Sequence, residues 1–129
     1  MDTCFNALLL DEQQGLRASP KGAEIDVRLP WYRSLPVSVV EIGSLKLDDQ
    51  DVPAGDIRFE VNGKSFGLQE LPSRSDEVWF VLDSAVLRLP KARLQPGSEH
   101  DVELQLNLYP PYVPHLKWVT KVRKTLRAR

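Results

Sequence analysis

A chain of 129 residues, 42% of them hydrophobic, is long enough for one buried core and too short for two domains that each stand alone. The formal net charge of −1 hides an asymmetry: residues 1–114 carry 11 Lys and Arg against 18 Asp and Glu, whereas residues 115–129 carry 6 Lys and Arg and no acid. The lone cysteine, Cys4, rules out an internal disulfide. The start Met1-Asp2-Thr3, with only the short apolar run Ala7–Leu10 behind it, predicts neither a signal peptide nor a membrane span, so a cytoplasmic protein is expected.

Along the chain the apolar pattern is that of strands. Cys4 falls in a first apolar strand, as a small buried hydrophobe. Ile25, Val27 and Leu29 then alternate with Asp26 and Arg28, and β-branched residues carry the theme through Val37–Ile42 and Leu45–Leu47. Asp48-Asp49-Gln50-Asp51 reads as a solvated turn between strands. Asp56–Val61 and Lys64–Gly67 flank Asn62-Gly63, the commonest signal for a two-residue type I′ hairpin. Glu77–Leu82 and Ala85–Leu89 are expected strands on either side of Asp83-Ser84. The turn Gln95-Pro96-Gly97-Ser98 leads into His100–Leu108, where Val102, Leu104, Leu106 and Leu108 alternate strictly with Asp101, Glu103, Gln105 and Asn107. Lys117–Leu126 fits either a final strand or a short basic helix. Its apolar residues Leu116, Trp118, Val119, Val122 and Leu126 imply that it packs on something.

Ten prolines and seven glycines punctuate the chain, and no segment keeps a helical spacing bounded by caps. Parallel strands would need long crossover helices, so the expected fold is all-β: an antiparallel β-sandwich or open barrel with little helix. The domain is expected to span 1–114, followed by a basic tail, 115–129, that packs on the domain or on a partner.

Catalytic chemistry is poorly represented. His100 and His115 lie at no spacing that makes a metal pair with Cys, Asp or Glu, and His100 reads as a solvated residue at a strand entry. The Asp48–Asp51 cluster lacks the central Gly and distal Glu of a calcium loop, and Val52-Pro53 interrupts the frame. No phosphate loop, nucleophile elbow or reactive-cysteine signature is present. The basic tail alone does not make a nucleic-acid binder, because the rest of the chain is acidic.

Two loops stand out instead. Pro30-Trp31-Tyr32-Arg33-Ser34-Leu35-Pro36 interrupts two strands with large aromatics and fixed φ angles where an ordinary turn would use Gly, Asn or Asp. Tyr109-Pro110-Pro111-Tyr112-Val113-Pro114-His115 repeats the theme near the far end of the sequence. Tyr, Trp and Arg dominate interface hot spots, and proline-stiffened loops lose little entropy on association. The candidate binding residues are therefore Trp31, Tyr32, Arg33, Leu35, Pro36, Tyr109, Pro110, Pro111, Tyr112 and His115, provided that both loops lie at one end of the fold. A stand-alone carbohydrate-binding sandwich would also display such aromatics, and a structural adaptor would use the basic tail.

The run Arg28-Leu29-Pro30-Trp31-Tyr32-Arg33-Ser34-Leu35-Pro36, followed by Asp56-Ile57-Arg58-Phe59, Asn62-Gly63, Trp79-Phe80 and Pro96-Gly97 before Val102–Pro114, resembles the small β subunit of bacterial C-glycoside deglycosidases over roughly residues 5–115. That resemblance implies a hetero-oligomeric lyase whose larger α subunit is a TIM barrel with a divalent metal, manganese being the expectation. The implied substrates are C-glycosides of flavonoids or related aromatics whose sugar has first been oxidised to a ketone at C3. It further implies that this chain carries no cofactor, scaffolds the α subunit and shapes its substrate entrance.

Overall fold

The computed structural model describes residues 15–20, 22–29, 33–81 and 83–129; the expected Cys4 strand and the Pro30-Trp31-Tyr32 tripeptide lie outside the described residues. In chain order the strands are β1 (Leu16–Ser19), β2 (Gly22–Arg28), β3 (Leu35–Pro36), β4 (Val40–Leu47), β5 (Gln50–Asp51) and β6 (Arg58–Val61). They continue with β7 (Lys64–Gly67), β8 (Val78–Trp79), β9 (Ser84–Leu89), β10 (Glu99–Leu108) and β11 (Trp118–Arg127). The helical segments among the described residues are short 3-10 turns at Val37–Val39, Ala54–Asp56 and Leu68–Ser73.

One sheet has the order β1-β2-β9-β6-β7 and the other β11-β10-β4-β5, with β3 and β8 forming a small third pair. Every pairing among them is antiparallel. The period of two decides what faces inward: Ala23, Ile25 and Val27 on β2, Ala85, Leu87 and Leu89 on β9, and Val102, Leu104, Leu106 and Leu108 on β10 all join one buried core. Burial of each such aliphatic side chain contributes roughly 1.5–3 kcal/mol, which makes this core the main source of stability. At one margin the chain end stitches the sheets together, because Ala18 N–H donates to Arg129 O (2.8 Å) and Arg129 N–H to Leu16 O (3.1 Å).

The outer faces carry the charges. On the first sheet Arg17 pairs with Glu24 (3.0 Å) and Asp26 (2.5 Å), while Arg88 bridges Glu24 (2.5 Å) and Glu60 (2.6 Å), so one network crosses β1, β2, β9 and β6. On the second sheet the register of β10 with β11 sets acids against bases. Arg127 meets Glu99 (3.1 Å) and Arg123 meets Asp101 (3.3 Å), with the Thr125 hydroxyl also donating to Asp101 (2.6 Å). Of the two alternatives for Lys117–Leu126, the strand is the one formed. Much of its charge is met by the acidic strand beside it, which leaves less for the adaptor role.

Three expected strands are shorter than their propensities suggest. Val37–Val39 is a 3-10 turn, because here the chain leaves β3 and its pairing with β8, with Val37 N–H donating to Glu77 O (2.8 Å), and turns the corner to pair with β10 as β4. Among its described residues Glu77–Leu82 contributes only Val78–Trp79, since its partner is the two-residue β3, whose Pro36 has no N–H to extend the ladder. Asp56 lies in the 3-10 turn before β6, its N–H bonded to Pro53 O (2.9 Å). The Asn62-Gly63 hairpin forms as expected, with φ of 56° and 76°.

Candidate interaction site at one end of the sandwich

The C-terminal end of β10, the N-terminal end of β4, and the short β3 and β8 pair all meet at one end of the sandwich. The first loop enters there through Arg33, which is exposed, and Ser34, whose hydroxyl accepts the Val81 N–H (2.8 Å). Leu35 is 1% exposed and opposite Trp79 in the ladder, so it anchors the loop in the core and presents no surface; Pro36 is half-buried. The second loop leaves β10 at Tyr109, whose N–H donates to Val39 O (2.9 Å). Pro110 is buried, Pro111, Tyr112 and His115 are exposed, and a Val113 N–H to Pro110 O bond (3.1 Å) closes the turn. His115 has a left-handed φ of 63°.

The two loops touch. The Arg33 guanidinium carbon lies 5.1 Å from the centre of the Tyr112 ring, a cation–π contact worth about 0.5–1 kcal/mol at an exposed site. Beside them Phe80 is 52% exposed, held out by a turn in which Asp83 N–H donates to Phe80 O (2.9 Å). Tyr109, Val113 and Val119, the last opposite Asn107 on β11, are also exposed large apolar residues. All five exposed large hydrophobics among the described residues, Phe80, Tyr109, Tyr112, Val113 and Val119, thus lie toward this end. That clustering is what an interaction surface requires. Sequence reading missed Phe80, which sits in an ordinary strand-like run.

A polar chain borders the aromatics on the outer face of β10 and β4. Gln105 Nε2 donates to Asn107 Oδ1 (3.1 Å), and Asn107 Nδ2 donates to Glu41 Oε1 (2.8 Å). The Tyr109 hydroxyl donates to the same oxygen (2.7 Å). Gly43 makes this possible. It is the extra residue of a β-bulge opposite Gln105 and Leu106, and a Cβ there would lie 2.9 Å from both Asn107 Nδ2 and Gln105 Nε2. The hydrogen bonds from Asn107 and Tyr109 hold the Glu41 carboxyl below its ordinary range, and the same bond to Glu41 pushes the Tyr109 phenol up. Period-two reading places Glu41 and Asn107 on the wet face, but the bulge that brings them together has no signal beyond a lone glycine.

The other end of β10 holds a second cluster. His100 Nδ1 lies 2.6 Å from Asp48 Oδ2 and its Nε2 lies 2.7 Å from Ser98 Oγ, which also donates to Gln95 O (2.6 Å). Asp48 Oδ1 accepts the Asp101 N–H (3.0 Å). This half-buried imidazole therefore ties two turns to β10, where the sequence suggested a solvated strand entry. Replacing it, His100→Ala, is expected to cost about 1–2 kcal/mol, because Asp48 Oδ2 and Ser98 Oγ each lose one of their contacts; urea unfolding measures it, and a change below about 0.5 kcal/mol would mean that water substitutes fully. Among the described residues no three His, Cys, Asp or Glu side chains converge to hold a metal ion, and no helix is long and apolar enough to cross a membrane.

Among the described residues the exposed aromatics of this all-β sandwich, Phe80, Tyr109 and Tyr112, gather at one end, in the turn after β8 and the loop after β10, and this defines a small antiparallel β-sandwich domain with one aromatic end. The family model described as "C-glycoside deglycosidase beta subunit" matches residues 12–112. A protein of that name from Microbacterium trichothecenolyticum is 42% identical over 102 residues, covering 79% of this chain and 77% of its own. A "3'-dehydrocarminate deglycosidase beta subunit" from Microbacterium sp is 40% identical over 102 residues, covering 79% and 76%. A C-glycoside deglycosidase beta subunit from Arthrobacter globiformis is 36% identical over 104 residues, covering 80% and 77%. The chain belongs to the C-glycoside deglycosidase beta subunit family.

Proposed function

We propose that this chain is the β subunit of a hetero-oligomeric C-glycoside deglycosidase and that it docks on a larger TIM-barrel α subunit through the aromatic end of the sandwich. The observation that carries this is the contact of Arg33 with Tyr112, which joins the two proline-stiffened loops into one exposed surface beside Phe80. Trp31 and Tyr32 precede Arg33 in the first loop and belong to the same proposal. The complex works in the cytoplasm, and the surface both holds the α subunit and shapes the entrance its substrate uses.

The substrate class is a C-glycoside of a flavonoid-type aromatic carrying a ketone at C3 of the sugar. A relative named for 3'-dehydrocarminate supports an oxidised sugar. The ketone acidifies the C2 proton; its removal gives an enolate, whose collapse forms a C1–C2 double bond and expels the aglycone as the C1–aryl bond breaks. The aryl carbon takes up a proton. A divalent metal, manganese by expectation, belongs to the α subunit and supplies charge stabilisation to such an enolate. The role of this chain in that lyase reaction is to position its partner.

Co-expression with the neighbouring reading frame for a TIM-barrel protein, size-exclusion chromatography and an assay on a 3-oxo-C-glucoside test the proposal. Co-elution with metal-dependent aglycone release is expected, and the double variant Arg33→Ala/Tyr112→Ala is expected to weaken assembly about 10- to 100-fold. Unchanged assembly and turnover in that variant would sink the docking role. A stable lone monomer that binds glycans would replace the subunit reading with that of a carbohydrate-binding module.

A further inference from the structure

Beside the aromatic end a groove of about 450 Å³ runs between β4 and the 3-10 turn at Leu68–Ser73. Its walls include Ile42, Leu68, Pro72 and Tyr109, its one charged side chain is Glu41, and Ser38 and Gln69 are its uncharged polar residues. This carboxylate is unusual for an exposed surface glutamate. Two donors from β10 and the loop after it fix its position, yet both land on Oε1, and among the described residues Oε2 accepts no hydrogen bond.

The fixing groups are themselves immobilised. Asn107 is 2% exposed, and Gln105 sets which way its amide points. A free surface glutamate gains little from surrendering its rotamer freedom, which carries an entropic cost. Charge is not balanced either: among the described residues Glu41 makes no ion pair, and Lys117 acts on it only at longer range. A pre-positioned anion with one open oxygen, set in a groove walled by apolar side chains, complements a long basic side chain. Methylenes would lie against Ile42, Leu68 and Pro72 while the cationic head reaches Glu41.

We infer that Glu41 anchors a basic side chain, best an arginine, of the α subunit, which inserts into the groove between β4 and Leu68–Ser73 when the two subunits assemble. This rests on the subunit reading above and adds to it a charged anchor at a defined place. Tyr109 serves both parts of the surface, since it lines the groove and its hydroxyl holds the carboxylate. The groove is thereby continuous with the aromatic loops.

The test is the dissociation constant of this chain with its co-expressed α subunit, measured at several salt concentrations for wild type, Glu41→Gln, Tyr109→Phe and Arg33→Ala/Tyr112→Ala. Glu41→Gln keeps the shape and removes the charge, so it is expected to raise the dissociation constant about 30-fold and to flatten its salt dependence. Tyr109→Phe, which removes one of the two bonds that hold the carboxylate, is expected to lose about 3-fold. Thermal unfolding of each free variant separates binding from folding. If the wild type does not bind the α subunit, the subunit reading fails. If it binds, and the loop variant weakens it while Glu41→Gln does not, the anchor is overturned and the subunit reading stands. Unchanged assembly with a raised KM in Glu41→Gln would overturn it too, by assigning the groove to substrate. Salt-sensitive self-association of the free chain lost in Glu41→Gln, with α-subunit binding intact, would assign it to a second copy and equally overturn the anchor.

Discussion

Trp79→Ala is expected to lower the free energy of unfolding by about 4 kcal/mol and to loosen the aromatic end along with the core. Its indole is fully buried, meets the Phe59 ring edge-on at 5.5 Å and 75°, and donates Nε1–H to the backbone oxygen of Asp83 (2.9 Å). Truncation of a buried tryptophan costs about 3–5 kcal/mol, through lost transfer energy and the cavity left behind. The edge-to-face pair with Phe59 is part of what disappears. The indole also sits behind the turn that displays Phe80 and opposite Leu35, the residue that roots the first loop. Assembly with the α subunit should therefore weaken as well. Trp79→Phe keeps the apolar bulk and gives up the hydrogen bond, so about 1–2 kcal/mol is expected from it. Urea titration monitored by far-UV circular dichroism measures both, and a loss below about 1.5 kcal/mol for Trp79→Ala would show that the core closes over the gap.

Gly22→Ala is the second large effect, expected at about 2–5 kcal/mol from left-handed strain plus overpacking against backbone. Gly22 has φ of 120°, and a Cβ placed on it would stand 2.2 Å from Leu89 O and 2.7 Å from Pro90 Cα. Neither atom belongs to a side chain that can swing away. The start of β2 would have to lift from the end of β9, breaking a ladder that begins at Ala23 and Leu89. Gly63→Ala is the matched control: φ is 76° and nothing lies within 4 Å of the added Cβ, so it reports the strain without the collision. The difference between the two variants in denaturant midpoint isolates the close approach of the strands. Equal losses would refute it.

The strands with strict alternation were legible because a sheet with one wet face writes its period into the chain. Val102, Leu104, Leu106 and Leu108 are buried as that period requires, and Asn62-Gly63 turns the hairpin it signals. Val37–Val39 looked equally strand-like and is not a strand, because β-propensity measures fit to a pleated surface and these residues occupy the corner between two sheets. The strand at Leu16–Ser19 passed unnoticed, since four residues give too little alternation to register. At the aromatic end, composition identified the aromatic loops but counted Leu35 among the surface candidates, although its side chain faces the core. Phe80 and Glu41 were invisible for the opposite reason: nothing about either residue type marks it until its neighbours are known.

By itself the sequence determined the all-β class, the apolar face of the long strands, the two proline-stiffened aromatic loops and the family resemblance that the relatives bear out. These are local properties, set by a period of two and by residues whose backbone freedom is restricted. Tertiary structure alone decided that the loops meet through Arg33 and Tyr112, that the basic chain end lies as a strand against the acidic β10, and that a bulge at Gly43 lets Asn107 and Tyr109 hold Glu41. Each of those contacts joins residues far apart in the chain, and strand order and register, which place them side by side, are settled by the packing of the whole core.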